Sequence, residues 1–260
     1  MLLLHALGRP VSERAWLIAH DDAALPAPAR VCFEAWCARR AAGEPLAYLT
    51  GRKAFYGLDL HIDARVLDPR DDTETLVDWA LALLPQGAAA DVLDLGTGSG
   101  AVALAIAHAR PAARVTATDA SAGALAVARA NGQRLSLPVR WLQGAWGDWF
   151  APLAAGESFA LIASNPPYIA EGDPHLSALA REPRTALVGG REGLEQLRRI
   201  VAGAGAYLAP GGWLLLEHGY DQAQAVRGLL AQAGYAKVQS RRDLAGIERC
   251  SGGCHGAAPG

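Results

Sequence analysis

A chain of 260 residues that is 51% hydrophobic can bury a sizeable core, and its length suits one large domain with a small appendage. A net charge of −2 excludes a general electrostatic pull toward nucleic acid or an anionic membrane. No apolar run reaches the roughly 18 residues of a membrane-spanning helix, and Met1-Leu2-Leu3-Leu4 is too short, and lacks the basic flank, for a signal-peptide core.

Residues 1 to 50 read as short helices: one over Val11–His20 with Ser12 as its cap, and one over Pro28–Ala42, stopped at Gly43. The segment is small for an independent domain and is expected to lean on the rest of the chain or on a partner. Ala54–Ile62 alternates around Gly57 and predicts a hairpin. Leu67-Asp68-Pro69-Arg70-Asp71-Asp72-Thr73-Glu74 then leads into a helix over Thr75–Leu84, with acids suited to a helix N-terminus.

From residue 90 strands and helices alternate. Strands are predicted at Asp91–Leu95, Arg114–Thr118, Val139–Leu142, Phe159–Ala163, Trp213–Glu217 and Tyr235–Ser240, with a further short one at Gly246–Arg249. Helices are predicted at Ala101–Ala109, Ala122–Asn131 (closed by Gly132), Gly190–Leu208 and Gln222–Ala233, with a turn at Pro210-Gly211-Gly212. That alternation implies a mostly parallel sheet covered on both faces, an α/β protein without internal repeats. Four cysteines fall in two close pairs, Cys32/Cys37 and Cys250/Cys254, too sparse for a disulfide scaffold, which points to reducing, cytoplasmic surroundings. Cys250, Cys254 and His255 offer a zinc alternative, at a spacing that matches no standard site.

Three features mark a site. Gly96-Thr97-Gly98-Ser99-Gly100 joins a strand to a helix, where glycines let backbone approach a ligand closely. The pattern differs from the G-x-G-x-x-G of a classical dinucleotide loop. Asp119 ends the next strand, where a carboxylate can accept both hydroxyls of a ribose; this fits adenosine in NAD or in S-adenosylmethionine. The fourth strand runs into Asn165-Pro166-Pro167-Tyr168. The two prolines stop helix and sheet alike and stiffen the turn. Asn165, the carbonyls of Pro166 and Pro167, and the ring of Tyr168 can grip a planar NH2 group. Such a grip serves methyl transfer and has no evident use in hydride transfer. The plainer reading is a Pro-Pro strand terminator.

Together these residues resemble a class I S-adenosylmethionine-dependent methyltransferase. The flanks resemble one branch, the glutamine N5-methyltransferases of peptide-chain release factors (the HemK type). The matching stretches are Gly43–Gly51, Phe55–Leu58, Pro69-Arg70 with Asp72-Thr73-Glu74, Glu182–Leu187, Leu216–Gly219 and Arg242–Arg249. The resemblance implies a seven-stranded, mostly parallel Rossmann-like sheet with one antiparallel strand. It implies a helical substrate-binding domain over 1–50, a hairpin linker over 51–70 and a methyltransferase domain over 71–260. It implies that S-adenosyl-L-methionine is held by Gly96, Thr97, Gly98, Ser99, Gly100, Asp119, Asn165 and Trp149, with Trp146 as the competing candidate beside adenine. It implies that Asn165, Pro166, Pro167 and Tyr168 hold the glutamine of the Gly-Gly-Gln loop of class I peptide-chain release factors, with Asn165, Pro166 and Tyr168 catalytic.

Three departures stand out. Asp68 and Asp71 replace an aliphatic residue and a proline, and Asp68 is expected near the active-site rim. The N-terminal domain looks short by about a helix. Cys250-Ser251-Gly252-Gly253-Cys254-His255 replaces an apolar strand, and such a glycine run predicts a frayed last edge strand. Two other functions fit parts of the pattern. One is N-methylation of an exocyclic base amine in DNA or RNA, although the scattered arginine pairs form no evident phosphate groove. The other is a non-catalytic release-factor-binding module.

Overall fold

The pleat of β3 (Asp91–Leu95) organises the fold. Successive side chains of a strand face opposite sides. Val92 therefore joins one apolar cluster, and Leu93 and Leu95 join a second. The alternation repeats in β6 (Phe159–Ser164) and β7 (Leu208–Glu217): Leu161, Ala163 and Leu215 enter the first cluster, and Ile162, Leu214 and Leu216 the second. A sheet apolar on both faces needs helices on both. In this computed structural model, which describes residues 1–256, α5 (Glu74–Leu83) and α6 (Ala101–Ala109) supply the first cluster, joined by α7 (Ala122–Leu135). The second cluster comes from α8 (Glu195–Ala204) and α9 (Ala223–Gln232).

With β4 (Arg114–Asp119), β5 (Arg140–Gln143), β8 (Ala236–Arg242) and β9 (Glu248–Cys254), the main sheet has seven strands in the order β5-β4-β3-β6-β7-β9-β8. The first five are parallel; β9 runs antiparallel to both neighbours. The chain moves outward from β3 through β4 to β5, then returns to place β6 on the other side. That reversal opens a crevice beyond the carboxyl ends of β3 and β6, where open α/β sheets bind ligands.

Ahead of the sheet lie α1 (Leu2–Ala6), α2 (Arg14–Ala19), α3 (Ala27–Ala41), α4 (Leu46–Thr50) and the hairpin β1 (Arg52–Phe55) and β2 (Leu58–His61). The hairpin turns through Tyr56 and Gly57, both at positive φ, as a two-residue turn of the type favoured between twisted strands requires. Asn131 of α7 clamps β2 by accepting from the His61 N–H (2.7 Å) and donating to its carbonyl (3.0 Å).

Several expectations are corrected. Ser12 caps nothing: α2 begins at Arg14, after Glu13, without a side-chain cap. The short α4 was missed. Gly132 does not close α7, which runs on to a left-handed Ser136; a Cβ at Gly132 would lie 3.1 Å from the Trp141 ring, so this glycine makes room for a side chain. The predicted 190–208 helix is only Glu195–Ala204, because Gly189–Gly193 packs against another turn. Pro210-Gly211-Gly212 lies within β7 at a register shift and does not precede the strand.

The glycine-rich end is not a frayed edge. β9 is an interior strand, and Cys250 through Cys254 are buried. A Cβ at Gly252 would sit 2.6 Å from the Leu214 carbonyl oxygen and 3.0 Å from Trp79, and one at Gly253 2.8 Å from Tyr235. The glycines mark close approach, the other meaning a strand glycine can have. Four steps of extended chain also separate Cys250 from Cys254 by about 13 Å, too far for both to ligate one zinc ion.

Candidate functional site

The Gly96–Gly100 loop leaves β3 through three glycines at positive φ, Gly96, Gly98 and Gly100. It is pinned at its start, where the N–H groups of Gly96 and Thr97 both donate to the Thr118 carbonyl at 2.9 Å. The Thr97 hydroxyl donates to Asp94 at 2.6 Å, beneath the loop. Burial pushes the Asp94 carboxyl up to about 7, against the Thr97 and Ala103 hydrogen bonds that favour its charge. The three glycines differ in purpose. A Cβ at Gly96 would come within 2.9 Å of the Trp149 ring; one at Gly100 would press on Leu104 and Trp141; one at Gly98 would meet no protein atom within 4 Å.

Gly98 opens on a cavity of about 530 Å³, lined also by Gly96, Thr97, Ser99, Asp119, Trp146, Trp149, Asn165 and Pro167. Gly100 stands back from its wall, as do Pro166 and Tyr168. At the end of β4, Asp119 accepts the Gly98 N–H on Oδ2 and the Ser121 N–H on Oδ1, each at 2.8 Å. A carboxylate has about four acceptor sites, so each oxygen keeps one for a ligand hydroxyl. Burial raises the Asp119 pKa, and the backbone donors oppose that rise. Trp149 is fixed by its indole N–H, which donates to Gln196 at 3.0 Å, and by packing on the second cluster; Trp146 is 54% exposed. Both rings line the cavity, but only Trp149 is held in place.

A second cavity, of about 440 Å³, is lined by Tyr168, Asp68, Arg70, Glu182 and residues from Arg40 to Leu46. Asn165 belongs to both walls. Its Nδ2 donates to the Thr73 hydroxyl at 3.2 Å, and among the described residues its Oδ1 accepts nothing. Tyr168 is held from two directions: its hydroxyl donates to Glu217 at 3.4 Å, and its carbonyl accepts from Gln222 Nε2 at 2.9 Å. The segment after residue 187 packs backbone to backbone on this turn, through an Ile169–Val188 bridge and a Gly189 N–H bond to the Ile169 carbonyl at 2.9 Å.

Asp68 lines the second cavity. Its backbone N–H donates to Glu182 at 3.2 Å, and Arg70 is 3.8 Å from one carboxylate oxygen and pairs with Glu182 at 2.5 Å. The other Asp68 oxygen is buried without a partner, and burial raises the pKa of the group.

Sequence reasoning missed Thr73, Glu217, Gln222 and Gly189. Thr73 falls in the acidic stretch that leads into the predicted 75–84 helix, and Gly189 lies just ahead of the helix predicted from Gly190. Glu217 carried the one available signal, a charged residue ending an otherwise apolar strand, Trp213–Leu216.

The fold and the two-cavity site define a methyltransferase of the Rossmann-like class. The methyltransferase small domain family matches residues 73–188, and the PrmC N-terminal domain family matches residues 1–51. The chain is 53% identical to the release factor glutamine methyltransferase of Burkholderia pseudomallei, covering 97% of this chain and 90% of that one. It is 52% identical to the protein of the same name from Bordetella pertussis, over 97% and 92%. The chain belongs to the release factor glutamine methyltransferase family. Among solved structures, a methyltransferase from Pyrococcus furiosus superposes with a TM-score of 0.60 at 22% identity, covering 85% of this chain and 98% of that one, a likeness of fold.

Proposed function

We propose that this enzyme transfers a methyl group from S-adenosylmethionine to the side-chain amide nitrogen of the glutamine in the Gly-Gly-Gln loop of class I peptide-chain release factors. The observation that carries the reading is the place of Asn165, on the wall common to two cavities, with an amide oxygen free to accept. Family membership supports the release factor as substrate.

The larger cavity suits the methyl donor. Gly98 leaves a place that a Cβ would fill, and Asp119 keeps acceptor capacity for two ribose hydroxyls. Gly96 to Ser99, Asp119 and Trp149 would hold it; Gly100 shapes the loop by turning into α6. When bound, S-adenosylmethionine supplies an electrophilic methyl group on a sulfonium. The protein's part is to present the amide nitrogen. An amide nitrogen is a poor nucleophile because its lone pair is delocalised. Asn165 Oδ1 and the Pro166 carbonyl would accept its two hydrogens, orient it, and stabilise positive charge developing on it; the Tyr168 ring would cover the amide plane. The excess proton leaves to water.

The helices of residues 1–50 serve as the substrate-binding domain, 51–70 as a linker and 71–260 as the methyltransferase domain. Residues 40–46 supply part of the second cavity, which supports a role for the N-terminal helices in holding the release factor. Among the described residues no helix is long and apolar enough to cross a membrane, and a translation-linked substrate favours the cytoplasm.

The test is methyl transfer from labelled cofactor to a release factor, to its Gln-to-Ala form and to bulk nucleic acid, side by side. Only the first is expected to be labelled; label in nucleic acid would favour base methylation, and cofactor binding without turnover would favour a binding module. Asn165→Ala keeps both prolines and is expected to fold, with a single-turnover rate at saturating cofactor about 10²–10³-fold lower. A rate near wild type would remove the turn from the mechanism.

A further inference from the structure

An asparagine presents either an acceptor or a pair of donors, depending on which way its amide is turned. The grip on a substrate NH2 works in one orientation only. The opposite orientation would set NH2 against NH2. Something must choose between the two, and the group behind Asn165 is a threonine hydroxyl, which can donate or accept.

The choice is made one step further back. Glu217 ends β7 at 1% exposure and lines neither cavity. Its Oε1 accepts from the Tyr168 hydroxyl at 3.4 Å, and its Oε2 is buried without a close hydrogen bond. The Thr73 hydroxyl, from beyond hydrogen-bond distance, favours the charged carboxylate. An ionised carboxylate only accepts. A Thr73 hydroxyl turned toward it would donate its proton inward. Its oxygen is then left as an acceptor toward Asn165, which must offer Nδ2, as observed at 3.2 Å.

We propose that Glu217, acting through Thr73, is a positioning residue that sets the polarity of Asn165, so that Oδ1 faces the substrate amide. The same carboxylate orients the Tyr168 ring, so one buried charge arranges both sides of the grip. This role rests on the methyl-transfer function proposed for the enzyme.

The arrangement makes the grip sensitive to protonation. A neutral Glu217 carries a proton of its own that it can donate to Thr73, and Thr73 can then donate to Asn165 and turn its amide. The charged and titratable groups facing Glu217 are Asp72, Arg249, Tyr168 and Cys250. Asp72 opposes its ionisation, and Arg249, 3.3 Å from Asp72, favours it. Burial is the largest influence and pushes the group up to about 7.

One variant pair and one single variant test this. Thr73→Val keeps the volume and removes the hydroxyl; Thr73→Ser keeps the hydroxyl. Single-turnover methylation of a release factor is expected to fall about tenfold to a hundredfold in Thr73→Val, the loss expected for one charge-assisted hydrogen bond, and to be restored to within about threefold by Thr73→Ser. The wild-type rate is expected to fall on acidification through about pH 7. Glu217→Gln, whose NH2 can donate to Thr73, is expected to be slow and to lose that acid limb. Its affinity for the demethylated cofactor by calorimetry should stay unchanged, as a collapsed site would not allow. A second readout needs no turnover: hydrogen exchange of the Asn165 side-chain NH2, assigned by its loss in Asn165→Ala, should be slower in wild type and Thr73→Ser than in Thr73→Val. Equal rates in both Thr73 variants, or a wild-type acid limb retained in Glu217→Gln, would overturn the proposal while leaving methyl transfer standing. Absence of label in every protein, with the exchange pattern as expected, would overturn the methyl-transfer reading and leave the polarity device standing.

Discussion

Replacing Gly189 by alanine is expected to slow methyl transfer without touching either cavity. Gly189 has no positive φ, so space alone decides the outcome. A Cβ there would overlap the Pro167 carbonyl oxygen and lie 2.8 Å from the Gly193 carbonyl oxygen and 2.9 Å from Tyr168 Cα. Relaxed carbon contacts are about 3.5–4.0 Å, so backbone must move by roughly 0.6 Å or more. Every atom met is main chain, so no side chain can swing aside. Gly193, on the far side, has its own positive φ and abuts the Tyr168 carbonyl, which Gln222 holds in place. Strain is therefore shared between the 189–193 loop and the Asn-Pro-Pro-Tyr turn. Overpacking of this kind costs about 1–3 kcal/mol, which for a chain of this size lowers Tm by roughly 2–12 °C. A misplacement of 1 Å near the chemistry can cost about a hundredfold, so a loss of about tenfold to a hundredfold in the single-turnover rate is expected. The assay is single-turnover labelling of a release factor at saturating cofactor, well below the melting transition. Gly228→Ala is the control: mid-α9, with nothing within 4 Å of its Cβ, it should gain about 0.4–1 kcal/mol and keep the wild-type rate. A wild-type rate and Tm in Gly189→Ala would show that the loop gives way freely and that the turn does not depend on it for position.

Two further predictions concern single carboxylates. Asp119→Ala removes acceptors for the ribose and is expected to weaken S-adenosylmethionine binding about tenfold to a hundredfold by calorimetry, the equivalent of roughly 1.5–3 kcal/mol; unchanged affinity in a folded variant would remove Asp119 from the site. Asp68→Ile is expected to keep or raise activity and to raise Tm at neutral pH, because it removes a buried, unpartnered carboxylate oxygen. A raised folded-state pKa means that stability from Asp68 is present below its unfolded pKa and lost as pH rises through the folded one. The Tm advantage of Asp68→Ile should therefore shrink toward pH 4, and a loss of turnover with folding intact would show that the carboxylate has a positive role.

Much of this protein is written locally. Asp91–Leu95 and Ala101–Ala109 are found at their expected bounds because an apolar run, a glycine loop and Pro111 mark them within a few residues. The Asn165–Tyr168 turn is equally local, since proline acts on its own neighbours. Strand–helix alternation was enough for a parallel sheet covered on both faces.

What only the tertiary structure decided is the meaning of residues whose partners are far along the chain. Gly252 and Gly253 read as fraying because a glycine run lacks side chains to pack; they are interior because Leu214, Trp79 and Tyr235 occupy the space their side chains would fill. Gly132 reads as a helix stop and is a seat for Trp141. Asp119 and Gly98 lie 21 residues apart, and Asn165 and Thr73 lie 92 apart, yet each pair shares a hydrogen bond. Such contacts leave no periodic trace, because side-chain alternation reports which face a residue takes and not what waits there. The chemistry of the turn could be read from four consecutive residues; its orientation depends on a threonine and a glutamate brought to it by other elements.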